Sequence, residues 1–389
     1  MKPIITLSRF IVGVLFIFSG LVKANDPLGL SYKMQEFFEL WNLHALNDYT
    51  LAFSIIMIAF EIIAGVAILV GWQMKLFSWL LLLLIIFFTF LTGYAVITGK
   101  PKECGCFGNC IPLTAQQSFM KDLILLALIL FLFFFKDKIK PIFKSGLSIL
   151  TLFFSAVFSL ALMWYALQHL PVVDCLPYEK GKSILAQRQI PPGSIPDSTV
   201  ISFVYEKAGK EVEFTADQFP EDFSDSLYAF KRRYDKVVRK GNAEPAIKDF
   251  VLTNSNGTIV TDSILSADGY KFLLFIRPGY SRTEWAKYLD LLLAKAAERK
   301  ISVSLVTSMT FNEAIANAPE FLKLFPLTCD ATAVKTAARS NPTLYLLNKD
   351  VIVDKWGQAD FDEALRELSA SKMENAATSV NNVDTVQSK

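Results

Sequence analysis

The sequence predicts a polytopic α-helical membrane bundle followed by a soluble α/β domain, and three observations carry that reading. Hydrophobic residues make up 52% of the 389 residues, yet they concentrate in roughly the first 170 positions. That part holds five runs close to the ~20 apolar residues a spanning helix needs. The remainder alternates short β-rich runs with amphipathic helical ones, the pattern of a layered α/β domain.

The candidate spans run from Ile4 to Val22, Leu51 to Val70, Leu76 to Ile97, Lys121 to Phe135 and Gly146 to Leu167. The first reads as a span rather than a cleavable signal peptide, because the run is long, Arg9 and Ser19 interrupt it, and the small-residue cleavage pattern near Val22-Lys23-Ala24 is poor. Lysines and arginines in short loops stay on the cytoplasmic side, so the loop with Lys136, Lys138, Lys140 and Lys144 is placed inside. The N-terminus and Lys75 then lie inside. The loop from Lys23 to Asp48, the cysteine loop and the C-terminal half lie outside, against the charges of Lys23, Lys33, Lys100 and Lys102. The expected location is the bacterial cytoplasmic (inner) membrane, with the C-terminal domain in the periplasm.

Three of the five cysteines sit in Glu103-Cys104-Gly105-Cys106-Phe107-Gly108-Asn109-Cys110, between the third and fourth spans. Cys175 follows the fifth span, so Cys104, Cys106, Cys110 and Cys175 share one membrane face in an oxidising compartment, while Cys329 stands apart. The net charge of +2 argues against a nucleic-acid partner. There is no zinc-ribbon or phosphate-loop signature.

From Leu170 to Ser198, prolines and glycines repeatedly stop regular structure, so this stretch reads as a tether. Strands are expected at Thr199–Tyr205 and Val212–Thr215, around a hairpin turn at Ala208-Gly209-Lys210. Lys231, Arg232, Arg233, Lys236, Arg239 and Lys240 read as a solvated face, with attraction to anionic headgroups as the alternative. Beyond Asp249 the expected order is a hairpin Phe250–Thr261 turning at Asn256-Gly257, a buried strand Phe272–Ile276, a helix Glu284–Arg299 and a strand Ile301–Val306. Helices near Asn312–Leu324 and Ala331–Arg339, strands Thr343–Leu347 and Val351–Asp354, and a helix Phe361–Ser369 follow. The chain thus divides into a membrane domain at 1–140, a fifth span at 141–170, a linker with a small β-rich segment at 171–248, an α/β domain at 249–371 and a disordered tail at 372–389.

This order, with Asn341-Pro342-Thr343 entering the last hairpin, resembles the thioredoxin-like fold in its membrane-tethered, periplasmic branch. The resemblance implies that Pro342 is cis and faces the active-site groove. Where that family carries Cys-x-x-Cys at a helix start, this chain reads Ile276-Arg277-Pro278-Gly279-Tyr280-Ser281-Arg282-Thr283-Glu284-Trp285. Ser281 and Glu284 have the spacing of a capping box, so this site is a helix start without redox chemistry. Tyr280 and Pro342 are then the expected substrate-binding residues of a recognition module. Cys329 reads as a small buried residue, or as a lone thiol pairing with a partner protein.

Arg9 and Glu61 stand inside spans, where an unpaired charge costs at least ~2.5 kcal/mol, and they are expected to meet. Glu61 is the stronger candidate, as an ion-pair partner or a proton-relay carboxylate. Gly13, Ser19 and Gly20 allow close helix packing. Arg9-x3-Gly13, Phe18-Ser19-Gly20-x2-Lys23, Glu61-x3-Gly65 and Cys104-Gly105-Cys106-Phe107-Gly108 together resemble the DoxX superfamily, especially its MauE-like members. The resemblance covers the first four spans. It implies a small membrane redox or assembly factor acting on disulfides of a periplasmic partner, with one branch passing electrons to quinone.

In chemical terms, Cys104 and Cys106 would form a tight, strained and therefore oxidising disulfide, with Cys110 or Cys175 as resolving thiol. Glu61 would join these four as a catalytic candidate. Quinone is the candidate electron acceptor, with Arg9 and Glu61 shaping its site. The same cysteines also allow static disulfides, or a metal site with Cys175 or His44 as fourth ligand. The connectivity of four cysteines stays open, since three pairings exist. The leading expectation is a membrane thiol oxidoreductase or assembly factor acting on a periplasmic protein. A non-catalytic scaffold recruiting a cell-envelope partner is the second, and a small-molecule or sulfur-species carrier is the third.

Overall fold

The computed structural model describes residues 2–101, 105, 107–108, 110–195, 198–215, 218–224, 226–239, 241, 243–280, 285–316 and 319–370. Cys104, Cys106, the Ser281/Glu284 capping pair and the tail expected to be disordered therefore lie outside the described residues.

The membrane half is built from α1 (Lys2–Asn25), α2 (Pro27–Leu40), α3 (Thr50–Val70), α4 (Met74–Thr98), α5 (Ala115–Phe134) and α6 (Ser145–Gln168). Five of these are long and apolar enough to cross a membrane, and α2 is the exception. α1 and α3 pack backbone to backbone because glycines face each other. A Cβ on Gly13 would stand 2.5 Å from Leu69, and one on Gly65 would stand 2.9 Å from the Gly13 carbonyl oxygen. α5 starts at Thr114, whose hydroxyl accepts from the Gln117 N–H while the Gln117 side chain accepts from the Thr114 N–H.

The segment expected as a loop after the first span instead folds into α2. Pro27 takes its first turn, and the Asp26 carboxylate accepts from the Gly29 N–H at 3.1 Å. A 3₁₀ turn, His44–Tyr49, then leads into α3.

The soluble half opens with the short α7 (Ile184–Gln187), then β1 (Ser198–Lys207), β2 (Lys210–Thr215) and β3 (Ala229–Arg239), which pair antiparallel in the order β2-β1-β3. The basic stretch is thus mostly an edge strand. Cross-strand partners neutralise part of it: Lys231 meets Glu206, and Arg232 meets Glu211 at 3.0 Å.

There follow α8 (Thr261–Ser266), β4 (Tyr270–Ile276), α9 (Trp285–Glu298), β5 (Ser302–Thr307), α10 (Phe311–Ala316), β6 (Phe325–Thr328), α11 (Ala331–Ala337), β7 (Thr343–Asn348), β8 (Val351–Gly357) and α12 (Phe361–Ala370). Their five strands form one sheet in the order β6-β5-β4-β7-β8; β4, β5 and β6 run parallel, and β7 and β8 antiparallel to their neighbours. Central β4 reads as a continuous apolar run because both its faces are buried. Phe272, Leu274 and Ile276 meet α9 and α12 on one side, and Leu273 and Phe275 meet α11 on the other.

Two expectations in this half are corrected. The hairpin at Phe250–Thr261 is reduced to a single bridge, Thr253 to Ile259, because Asn254 turns the chain through its own side chain and Thr253 also bridges Thr328. The expected helix Asn312–Leu324 is α10 plus a 3₁₀ turn at Pro319–Lys323, and the chain then enters β6, an edge strand where Pro326 is tolerated.

Cys329 is packed with Val306, Leu327 and Val334, and burial pushes its thiol up to about 11. Labelling by a maleimide at neutral pH is therefore expected to be more than about a hundredfold slower in the folded protein than in denaturant. Rapid native labelling of this residue, followed by peptide mass spectrometry, would contradict its buried placement.

Candidate functional site

The helical period puts Ser19 and Lys23 on one face of α1, and α3 presents Glu61 to that face. The Lys23 ammonium donates to Glu61 Oε1 at 2.7 Å, to Glu61 Oε2 at 2.8 Å and to Ser19 Oγ at 3.1 Å. Ser19 Oγ in turn donates to Glu61 Oε2 at 3.3 Å. Both charged side chains are almost wholly buried, at 3% and 2% exposure, which makes this an ion pair inside the bundle and not a surface contact.

A second pair stands across from it. Asp122 on α5 is fully buried, accepts from Thr92 Oγ1 of α4 at 3.0 Å and meets the Lys121 ammonium at 2.5 Å. Two lysines and two carboxylates thus line one small cavity of about 30 Å³, with Leu15, Ile85, Phe88 and Phe107 around them. Such a volume holds about one water, in reach of several polar partners.

Phe107, from the cysteine loop, closes this cavity. Its ring lies 5.8 Å from that of Phe18 and 5.3 Å from the Lys121 ammonium. Gly105 and Gly108, at φ +65° and +57°, turn the loop tightly over the bundle. A Cβ on Gly105 would stand 3.0 Å from the Lys33 stem.

The loop is fastened by a disulfide between Cys110 and Cys175, Cα atoms 4.7 Å apart and 65 residues apart in sequence. Beside it, Asn25 bonds both the N–H and the carbonyl of Val173, at 2.9 and 2.7 Å. Cys110 and Cys175 therefore close on each other as one covalent link between the loop and the segment after α6. Among the described residues, no group of three His, Cys, Asp or Glu side chains suits a metal ion.

The expected Arg9–Glu61 pair is not formed. Arg9 lies fourteen residues before Lys23, about 21 Å along a helix. Its guanidinium reaches instead towards Gly71, at the opposite end of α3, 3.1 Å from where a Cβ would stand there. Lys23 takes its place. Sequence reasoning missed Lys23 by assigning it to a loop, and missed Asp122 by starting the fourth span beside it. The signals were Ser19-x3-Lys23 on one helical face and an acidic residue at the head of an apolar run.

Tyr280 and Pro342 are likewise placed differently from a free groove. Tyr280 donates to the Ala314 carbonyl at 2.5 Å and packs against Phe321, so it belongs to the core under α9. Pro342 is buried behind a cis Asn341–Pro342 peptide. The residues flanking it are tied to the bundle. Arg339 Nε donates to Asp26 at 3.0 Å, with both side chains buried, and Ser340 Oγ donates to the Gln168 carbonyl at 3.1 Å. Arg277 donates to Tyr32 Oη at 2.7 Å while its own N–H is held by Asn341 Oδ1 at 2.9 Å.

At the end of α6, His169 meets Asp360 at 2.5 Å, and Gly357 passes so close to the His169 carbonyl that no side chain would fit. Burial raises the Tyr32 phenol and lowers the Arg277 guanidinium. The soluble domain is thus docked on α2 and α6 through the side that carries Pro342.

Comparison with known proteins bears on the membrane half first. The family described as methylamine utilisation protein MauE matches residues 1–135, and a domain of unknown function, DUF8463, matches residues 199–240. Over 138 residues the chain is 31% identical to Protein TlpB of Flavobacterium psychrophilum, a stretch that is 33% of this chain and 36% of that protein. The match therefore spans about a third of that relative's length. No solved structure matches.

Proposed function

We propose that this membrane protein, MauE-like over residues 1–135, is a thiol-based oxidoreductase or assembly factor that acts on disulfides of a cell-envelope protein. The reading places it in the inner membrane with the N-terminus inside and the cysteine loop and C-terminal domain in the periplasm. Cys104 and Cys106 are the reactive pair, and Cys110–Cys175 is the staple that holds their loop. The single observation that carries the proposal is the seating of this loop, through Phe107, over the buried Lys23–Glu61 and Lys121–Asp122 pairs. The thiol pair belongs in sequence to the same loop that Phe107 seats over these charged groups, and thiol oxidation releases two protons with its two electrons.

The domain at 249–371 is read as thioredoxin-like without Cys-x-x-Cys. Its three adjacent parallel strands continued by an antiparallel hairpin, and its cis proline, support this. Docked through its Pro342 side, it works as a brace over the loop face of the bundle.

The test is replacement of Cys104 and Cys106 by Ser, alone and together. Loss of disulfides in envelope proteins, seen by proteome-wide thiol trapping at unchanged membrane levels of the variant, is the expected result; unchanged partner disulfides sink the proposal. The second reading is a non-catalytic scaffold, and the Cys110–Cys175 disulfide that ties the loop to the segment after α6 favours it.

A further inference from the structure

We propose that a phosphate group binds Arg277 in the seam between the soluble domain and α2. Arg277 directly follows β4, and at β4 the strand order turns: the chain leaves it through β5 and β6 on one side and returns as β7 on the other. The carboxyl end of a strand at such a turning point is where open α/β sheets take ligands. Asn341, shortly before β7, holds both the N–H and the carbonyl of Arg277, at 2.9 and 3.1 Å, so the residue is fixed there.

The seam carries more positive charge than negative. Arg277, Lys335 and Arg339 surround the Tyr32 phenol. Arg277 donates to its hydroxyl at 2.7 Å, while the Arg339 guanidinium and the Lys335 ammonium lie 5.3 and 5.4 Å from its ring. Among the described residues, Asp26 is the carboxylate that meets this cluster, and Arg339 Nε takes it at 3.0 Å. Lys335 donates to the neutral Gln35 Oε1 at 3.3 Å. Arg277 is left with a neutral phenol, because burial keeps the Tyr32 proton in place. Its Nε is shut off from solvent and has no hydrogen-bond partner among the described residues. A buried cation with no anion of its own and an unmet donor is costly. The oxygens of a phosphate would remove both deficits through the paired contact a guanidinium makes.

Room for the ligand lies on the outer side of the turn. Arg277 as a whole is half-buried, Pro278 and Gly279 are exposed, and a Cβ on Gly279 would meet nothing within 4 Å. A phosphate held there faces α2 across Tyr32, so its binding tightens the dock by linkage. The site is independent of the thiol chemistry proposed above.

The phosphate is either free or carried by a lipid headgroup, and two arms of one test separate these sources. In the first, the full-length protein in a phosphate-free maltoside detergent is titrated with inorganic phosphate by calorimetry. In the second, phosphatidylglycerol retained by the purified protein is counted by native mass spectrometry. Saturable one-to-one binding in the first arm marks free phosphate, and one retained lipid that blocks phosphate binding marks the headgroup. In either case affinity should fall about tenfold, or 1.4 kcal/mol, in Arg277→Met. It should fall about threefold in Lys335→Gln, a half-buried position whose loss leaves the fold intact. Ligand should also slow hydrogen exchange in residues 26–40 and 335–341 of the wild type and of Lys335→Gln, and not of Arg277→Met. Equal affinity in the wild type and both variants, or no saturable binding in either arm, overturns the proposal and leaves Arg277 Nε to water.

Discussion

Replacing Glu61 by Ala is expected to destabilise the bundle by about 3–5 kcal/mol, because it leaves the Lys23 ammonium buried without its partner. Lys23→Ala should cost a similar amount, since it strands the carboxylate. Ser19 alone cannot compensate either charge. The double change Lys23→Met/Glu61→Leu removes both charges and keeps the volume, so it should recover most of the loss. The two single effects will then be far from additive, with a coupling of several kcal/mol. Unfolding of the purified protein in detergent by SDS titration measures this. Single effects below about 1 kcal/mol would mean that the pair is wet and exchangeable with water.

Asp26→Ala is expected to release the soluble domain from the bundle. Arg339 is buried with it, and truncating Asp26 leaves a guanidinium without its carboxylate at a cost again near 3–5 kcal/mol. The same residue caps α2, so part of the loss, about 1 kcal/mol, belongs to that helix. Arg339→Met separates the two contributions, because it breaks the dock and leaves the cap. Tyr32→Phe removes only the hydroxyl that accepts from Arg277 and should cost about 1.5–3 kcal/mol. Hydrogen exchange reads the outcome: amides of residues 335–341 and of α2 should gain exchange together in Arg339→Met, while those of β4 stay protected. Unchanged protection in that variant would show that Ser340, His169 and Gly357 hold the dock without the ion pair.

Much of the architecture was legible in the sequence, for identifiable reasons. The five spans were plain because each is a window of about 20 apolar residues, and the sheet strands β4, β5, β7 and β8 because they are short apolar runs bounded by turn residues. What escaped notice was of three kinds. α2 is only 14 residues long and carries Lys33, Gln35 and Glu36 among its apolar residues, so it does not resemble a span. β3 hides behind a basic composition that reads as loop, and β6 behind its four-residue length and Pro326, which a strand tolerates only at an edge.

The third kind is partnership. Nothing in the chain order says that Glu61 meets Lys23 rather than Arg9, or that Cys110 reaches Cys175 across 65 residues, since both depend on which helix ends share a membrane face. The site was therefore legible in its parts, as a cysteine loop and a buried carboxylate, and not in its pairing. Tyr280 was misplaced for a related reason. An aromatic residue near a helix start looks like a groove residue until the helix and the Phe321 turn close over it.

The central claim is that one cysteine pair of the loop face is static and the other reacts. Differential thiol trapping of native membranes with peptide mass spectrometry, with and without an inhibitor of the quinone pool, tests it most directly. Cys110 and Cys175 should be fully oxidised and linked to each other under both conditions, while Cys104 and Cys106 should form a mixed population that shifts towards thiols on inhibition. Fully oxidised Cys104 and Cys106 that do not respond, or a bond from either of them to Cys110 or Cys175, would contradict the account.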